Sequence, residues 1–149
     1  MRHARGFTLL ELLIGLAIVT ILTTLAYPSY ASYITKTRRI EGQVALIDAM
    51  QQQERYFMRN NSYLAFSAAS TDPGERLFRA WSGASAARSA YELQGYACPD
   101  QAIADCIELR ATPGTAQVDS RFRDPACGVL TLDSVGRRTA SGTAANCWP

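Results

Sequence analysis

Residues 5–27 read RGFTLLELLIGLAIVTILTTLAY, a glycine followed by a long apolar run that holds one charge, Glu11. A carboxylate in a would-be membrane helix costs roughly 2.5–3.5 kcal/mol on insertion scales, so such a group is seldom placed there without a partner. A secretory signal peptide would explain the basic start and the small residues at Ser29-Tyr30-Ala31. The length of the apolar core and Glu11 inside it argue against that reading. A plain membrane anchor needs about 20 apolar residues; the length fits, the acid does not. A third reading is a leader cut after Gly6, followed by a helix that first sits in a membrane and later packs on copies of itself. The cut creates a cation for Glu11: the new amino group of Phe7.

The cut also changes what the rest of the chain can do. Lys+Arg is 15 and Asp+Glu is 13. Arg2 and Arg5 lie before Gly6, so the shortened chain has 13 of each and is formally neutral. Lys36 is the only lysine and His3, in the leader, the only histidine. A mature chain without histidine lacks the commonest general base and the commonest nitrogen metal ligand. No nucleophile motif stands in for it. The chain reads as a non-enzyme that calls for no cofactor and no metal.

Helical character continues beyond the apolar run, from Phe7 to about Arg59, on the order of 80 Å at 1.5 Å per residue. Pro28 removes a backbone donor and is expected to bend the helix. Ile40, Val44, Ile47, Met50 and Phe57 form a stripe expected to pack on the chain's own globular part. Arg38, Arg39, Glu41, Gln43, Asp48, Gln51–Gln53 and Arg55 form a wetter face. Asn60-Asn61-Ser62 is a plausible stop. The organisation is therefore a leader at 1–6, a helix at 7–60 and a globular part at 61–149. Within the helix, 7–30 serves membrane or filament core and 31–60 packs on the sheet.

Residues 62–90 read as an irregular connection, with a turn at Asp72-Pro73-Gly74 and one short helix around Glu75–Trp81. Phe78 and Trp81 are its expected anchors. Short antiparallel strands follow: Tyr91–Tyr96, then Ile107–Ala111 with Ile107, Leu109 and Ala111 inward, then Gly128–Leu132 and Arg137–Ala140. Four cysteines in an exported chain read as disulfides. Three connectivities exist, and the short separations favour Cys98–Cys106 and Cys127–Cys147. A zinc site would need tight Cys-x-x-Cys pairs or histidines.

Gly6-Phe7-Thr8-Leu9-Leu10-Glu11, the apolar run, Pro28-Ser29-Tyr30 and the C-terminal cysteine pair resemble a type IV pilin. The stretch Asp124–Leu132, Gly136 and the ending Asn146-Cys147-Trp148 resemble minor pilins of the PilE type. The resemblance implies an α+β pilin fold, a long N-terminal helix on a small antiparallel sheet with a C-terminal disulfide loop. It implies cleavage between Gly6 and Phe7 by a prepilin peptidase and methylation of the Phe7 amine. The precursor would span the inner membrane once, with its C-terminal domain in the periplasm. An assembly platform would then move it into an extracellular fimbrium, among other pilin subunits, for twitching motility or adhesion. Glu11 would pair with the Phe7 amine of a neighbour. A type II secretion pseudopilin shares the N-terminal signature and is an alternative. So is a DNA-uptake pilin resting on Arg121, Arg123, Arg137 and Arg138, although Asp119, Asp124 and Asp133 nearly cancel them and make nucleic acid the weaker expectation.

Overall fold

A computed structural model describes residues 8–149, side chains of 25–29 excepted. Contacts divide the chain into two units, one ending at Lys36 and one running from Thr37 to Pro149. One helix, α1 (Leu9–Asn60), contributes to both and continues through Pro28 without a break in its assignment. It ends at Asn61, whose φ is 50° and whose N–H donates to the Phe57 carbonyl at 2.8 Å. That is a left-handed cap, a conformation asparagine tolerates better than most residues.

The sheet of the second unit has four strands: β1 (Tyr91–Ala97), β2 (Ile107–Pro113), β3 (Leu130–Asp133) and β4 (Arg138–Ala140). They pair in sequence order, every pair antiparallel. Leu93, Ile107, Leu109, Ala111, Leu130 and Leu132 are buried on one face. Arg110 is exposed on the other, as period-2 alternation requires. β3 starts at Leu130 rather than Gly128, because Gly128 sits at φ +62° in the turn that leads into it. A side chain there would be strained in this region of φ/ψ space.

The helix face that meets the sheet takes in only part of the apolar stripe: Ile47, Met50 and Phe57 pack against the core, and Ile40 and Val44 do not. Ile40 and Val44 are 49% and 52% exposed, and Ile47, Met50 and Phe57 are half-buried along the flank. The buried positions are Arg39, Gly42, Gln43, Ala45, Leu46, Ala49 and Gln53. Three residues assigned to the wetter face are thus inside, each with a partner. Gln53 Nε2 donates to the Leu64 carbonyl at 2.7 Å while its Oε1 accepts from the Leu64 N–H at 3.0 Å. Gln43 Nε2 donates to the Cys147 carbonyl at 2.6 Å. Arg39 pairs with Asp124. Satisfied polar groups can be buried without the usual penalty, and small Gly42, Ala45 and Ala49 let the sheet approach.

Gly42 makes the closest approach. A Cβ built there would lie 2.9 Å from the Tyr91 ring. Gly42→Ala would gain about 1 kcal/mol in helix propensity but overpack a buried ring, at about 1–3 kcal/mol. We expect net destabilisation, read as a lower urea midpoint; a raised midpoint would show that the Tyr91 ring yields freely.

The connection 61–90 covers the outer edge of β1. Phe66 and Gly95 exchange backbone hydrogen bonds, Ala80 accepts from the Leu93 N–H and Ser82 donates to the Tyr91 carbonyl. An exposed strand edge is thereby blocked. Instead of one helix around 75–81, a single 3-10 turn spans Glu75–Leu77 and another spans Ala86–Arg88. Phe78 is already extended, at φ −91° and ψ 127°. Running into the bridge with β1 takes precedence over local helix formation. Phe78 is buried against Phe66, ring centroids 5.2 Å apart, whereas Trp81 is half-buried.

Candidate functional site

The N-terminal segment presents one exposed apolar surface. In the first unit, the large apolar residues from Leu9 to Leu22 are each more than half exposed. Gly6 and Phe7, the expected cleavage and methylation positions, lie outside the described residues, and so does the side chain of Pro28. Among the described residues no helix is long and apolar enough to cross a membrane. The segment expected to do so, 7–30, includes those undescribed positions.

Glu11 is part of a helix cap. Its Oε2 accepts from the Thr8 N–H at 2.8 Å and from Thr8 Oγ1 at 2.9 Å, and Thr8 Oγ1 accepts from the Glu11 N–H at 3.3 Å. This is a reciprocal capping box, and the pattern Thr8-x-x-Glu11 announces it in the sequence. Reading Glu11 only for a distant cation overlooked the donors three residues away.

In the second unit the centre of the polar architecture is Asp124. Arg39 binds it with two parallel bonds of 2.7 Å, Nε to Oδ2 and Nη2 to Oδ1. The Tyr91 hydroxyl donates to Oδ2 at 2.7 Å, and the Cys127 N–H to Oδ1 at 3.2 Å. Asp124 is 3% exposed. Burial pushes its carboxyl up, but the bonds from Arg39, Tyr91 and Cys127 and the Arg39 charge together hold it below the usual aspartate range. Burial first, and then the bond to Asp124, push the Tyr91 hydroxyl well above its ordinary value. The bond to Asp124 raises Arg39 further. Both groups stay fully protonated near neutral pH, so this is a structural clamp. It has no group poised for proton transfer. Among the described residues no cluster of three or more His, Cys, Asp or Glu side chains could hold a metal.

The structure pairs Cys98 with Cys106 and Cys127 with Cys147. The first bridge clamps the loop between β1 and β2. The second closes the C-terminal segment, where Gly142 N–H donates to the Cys127 carbonyl at 2.8 Å.

The four C-terminal arginines do not form one surface. Asp119 N–H bonds the Ser89 carbonyl, and Phe122 abuts Gly114, so Arg121 and Arg123 sit at the Pro113 end of β2. Arg137 sits at the other end, beside Asp133, which pairs with Glu108. Arg121 lies 3.6 Å from Asp119, and Arg137 2.9 Å from Asp133. Arg123 Nη1 is spent on the Ser120 and Phe122 carbonyls, and Arg138 lies over the Trp148 ring. Asp124, counted above as cancelling these arginines, belongs instead to Arg39. A different set was missed. Arg55 and Arg59 line one concavity and Arg76 and Arg79 line another, and the two share Leu77 and Phe78.

Comparison with known proteins gives a consistent result. Residues 28–131 match a family model described as "Type IV minor pilin ComP, DNA uptake sequence receptor". Residues 1–27 match the prokaryotic N-terminal methylation motif. The chain is similar to the type IV wide pilus major component PilA4 of Thermus thermophilus, 41% identical over 69 residues, covering 46% of this chain and 53% of the relative. It is similar to the type IV major alpha-pilin of Moraxella bovis, 35% identical over 91 residues, covering 52% of this chain and 57% of the relative. The matches thus span about half the length of these curated relatives. The structure resembles that of a type IV pilin from Shewanella oneidensis, with 27% identity and a TM-score of 0.48 over 77% of this chain and 98% of the other. A family model matching most of the chain, joined to an N-terminal methylation motif, decides the assignment: the chain belongs to the type IV minor pilin family.

Proposed function

We propose that the chain is a subunit built into a type IV pilus, where it supports pilus assembly, twitching motility or adhesion. The observation that carries this is the methylation motif continuing into a helix whose apolar side chains from Leu9 to Leu22 are exposed. An apolar surface that large needs lipid or other helices to cover it. The precursor is a single-pass inner-membrane protein with a periplasmic C-terminal domain. A prepilin peptidase cuts it between Gly6 and Phe7 and methylates Phe7. The assembly platform then moves the helix into the bundle of subunit helices. There Glu11 meets the Phe7 amine of a neighbour and sets the axial register. An unpaired carboxylate and an unpaired amine are both costly in a medium of low dielectric.

Quantitative mass spectrometry of sheared surface fibres tests the assignment. The mature chain in those fibres supports it; retention in the cell envelope with none in the fibres overturns it in favour of a secretion pseudopilin. The pairing has its own test. Glu11→Gln keeps the acceptor that the capping box uses but removes the charge. We expect normal processing and at least a tenfold drop in incorporation, since each 1.4 kcal/mol lost is tenfold. Wild-type incorporation of this variant would leave Glu11 with the helix cap as its whole role.

A second reading, capture of DNA, is favoured by the description of the matched family as a DNA uptake sequence receptor. The C-terminal arginines support it weakly, being split between two ends of the sheet and partly ion-paired. This reading is compatible with the first, since a pilus subunit that bound DNA would present it outside the cell.

A further inference from the structure

The four arginines around Leu77 and Phe78 are placed differently from those near the C-terminus. Arg55 and Arg59 stand four apart on α1, and Arg76 and Arg79 three apart on the connection that runs along the edge of β1. All four are exposed, and among the described residues none has a carboxylate within 4.0 Å. Like charges four apart on a helix, as Arg55 and Arg59 are, repel and weaken it, so an external anion would relieve a cost the free chain bears. The neighbouring acids do not neutralise them by contact. Glu54 accepts from the Tyr63 hydroxyl at 2.9 Å, on a different face of α1. Asp72 Oδ1 accepts from the N–H groups of Gly74 and Glu75 and holds the turn. Glu54, Asp72 and Glu75 keep their charges, but among the described residues none of them forms an ion pair with the four guanidinium groups.

The surroundings resemble a groove more than a pocket for one ion. The two concavities adjoin through Leu77, which is 73% exposed, and Phe78. Ser67 and Ser70 add hydroxyls on the Arg76 side, and Gln52 and Asn60 add amides on the Arg55 side. Exposed guanidinium groups lining two adjoining concavities, together with short polar side chains, suit a ligand that carries several phosphates. We propose that DNA docks here, with Arg55, Arg59, Arg76 and Arg79 contacting its phosphates. This rests on the DNA-capture reading and moves its contact surface away from Arg121, Arg123, Arg137 and Arg138.

The test uses the mature full-length protein in detergent micelles and a short fluorescent DNA duplex, with affinity read across a salt series. Each phosphate neutralised contributes about −0.9 to the slope of log affinity against log salt. Replacing all four arginines with glutamine should flatten that slope by about 3 to 4 and weaken binding steeply at low salt. Replacing all four with lysine should restore most of the slope. Glutamine at Arg121, Arg123, Arg137 and Arg138 should leave it nearly unchanged. Undiminished binding by the first variant, with loss in the last, overturns the proposal and leaves DNA capture standing on the other arginines. Absence of binding by the wild-type protein overturns DNA capture and this proposal together. It does not touch the pilus assignment, which sheared fibres decide.

Discussion

Asp124→Ala should destabilise the second unit by about 3–5 kcal/mol, the range found when one partner of a buried ion pair is removed. Whole-domain stabilities are only about 5–15 kcal/mol, so a loss of this size leaves the fold close to its limit. The substitution strands the Arg39 guanidinium, the Tyr91 hydroxyl and the Cys127 N–H at once. Urea unfolding of the mature protein in micelles, followed by intrinsic fluorescence, measures it. A loss below about 1 kcal/mol would show that water reaches the site and that the clamp is weak. Arg39→Met combined with Asp124→Leu should recover much of the loss, because replacing both ions with apolar groups removes the stranded charge. The clamp also sets an acid limit. The Asp124 pKa is lowered on folding, so its stabilisation is complete above the unfolded aspartate value of about 3.9. It disappears as pH falls through the lower folded value. Asp124→Asn should therefore be less stable at neutral pH and show a flatter stability profile through the acid range.

Loss of the C-terminal disulfide should have the next largest effect. Cys127 and Cys147 are 20 residues apart and Cys98 and Cys106 are 8 apart. Loop entropy alone gives about 3 kcal/mol for the longer loop and about 2.5 kcal/mol for the shorter, nearly a tie. Packing separates them. The Cys147 carbonyl is the acceptor for buried Gln43, so freeing the C-terminal segment leaves an amide unpaired, at about 1–3 kcal/mol more. We expect the Cys127→Ala/Cys147→Ala protein to unfold at clearly lower urea than the Cys98→Ala/Cys106→Ala protein. Equal midpoints would mean that the Gln43 bond survives without the bridge.

What could be read in advance followed the range of the interactions. Ile107, Leu109 and Ala111 were legible because strand alternation is a local period, and all three are buried. Asn61 was legible as a stop because its capping conformation is a property of the residue. The packing face of α1 was not. Its buried members include Arg39 and Gln43, whose partners lie 85 and 104 residues away. Hydrophobicity reports the cost of burying a side chain alone and says nothing of a distant carboxylate or carbonyl that offsets it. The apolar stripe therefore reaches the core through Ile47, Met50 and Phe57, while Ile40 and Val44 stay exposed where Arg39 and Gln43 go in. The arginine groove was hidden for the same reason. The concavity lined by Arg55 and Arg59 adjoins the one lined by Arg76 and Arg79 only because the connection doubles back along β1. The C-terminal arginines, adjacent in sequence, end on opposite ends of the sheet. The capping box at Thr8 and Glu11 is local, and the spacing Thr8-x-x-Glu11 encodes it whatever long-range partner the acid also has.

The positions of Arg39 and Gln43 have a mechanical consequence. They are the first two buried polar residues after Thr37, and both grip the C-terminal segment, through Asp124 and the Cys147 carbonyl. A pull on α1 at Thr37 therefore loads these bonds before it reaches Leu46, Ala49 or Gln53. The Cys127–Cys147 bridge ties together the two stretches they grip, because the Cys127 N–H bonds Asp124 and the Cys147 carbonyl accepts from Gln43. Stretching force would be resisted there by ionic and hydrogen bonds backed by a disulfide, and the apolar contacts farther along the helix would carry little of it.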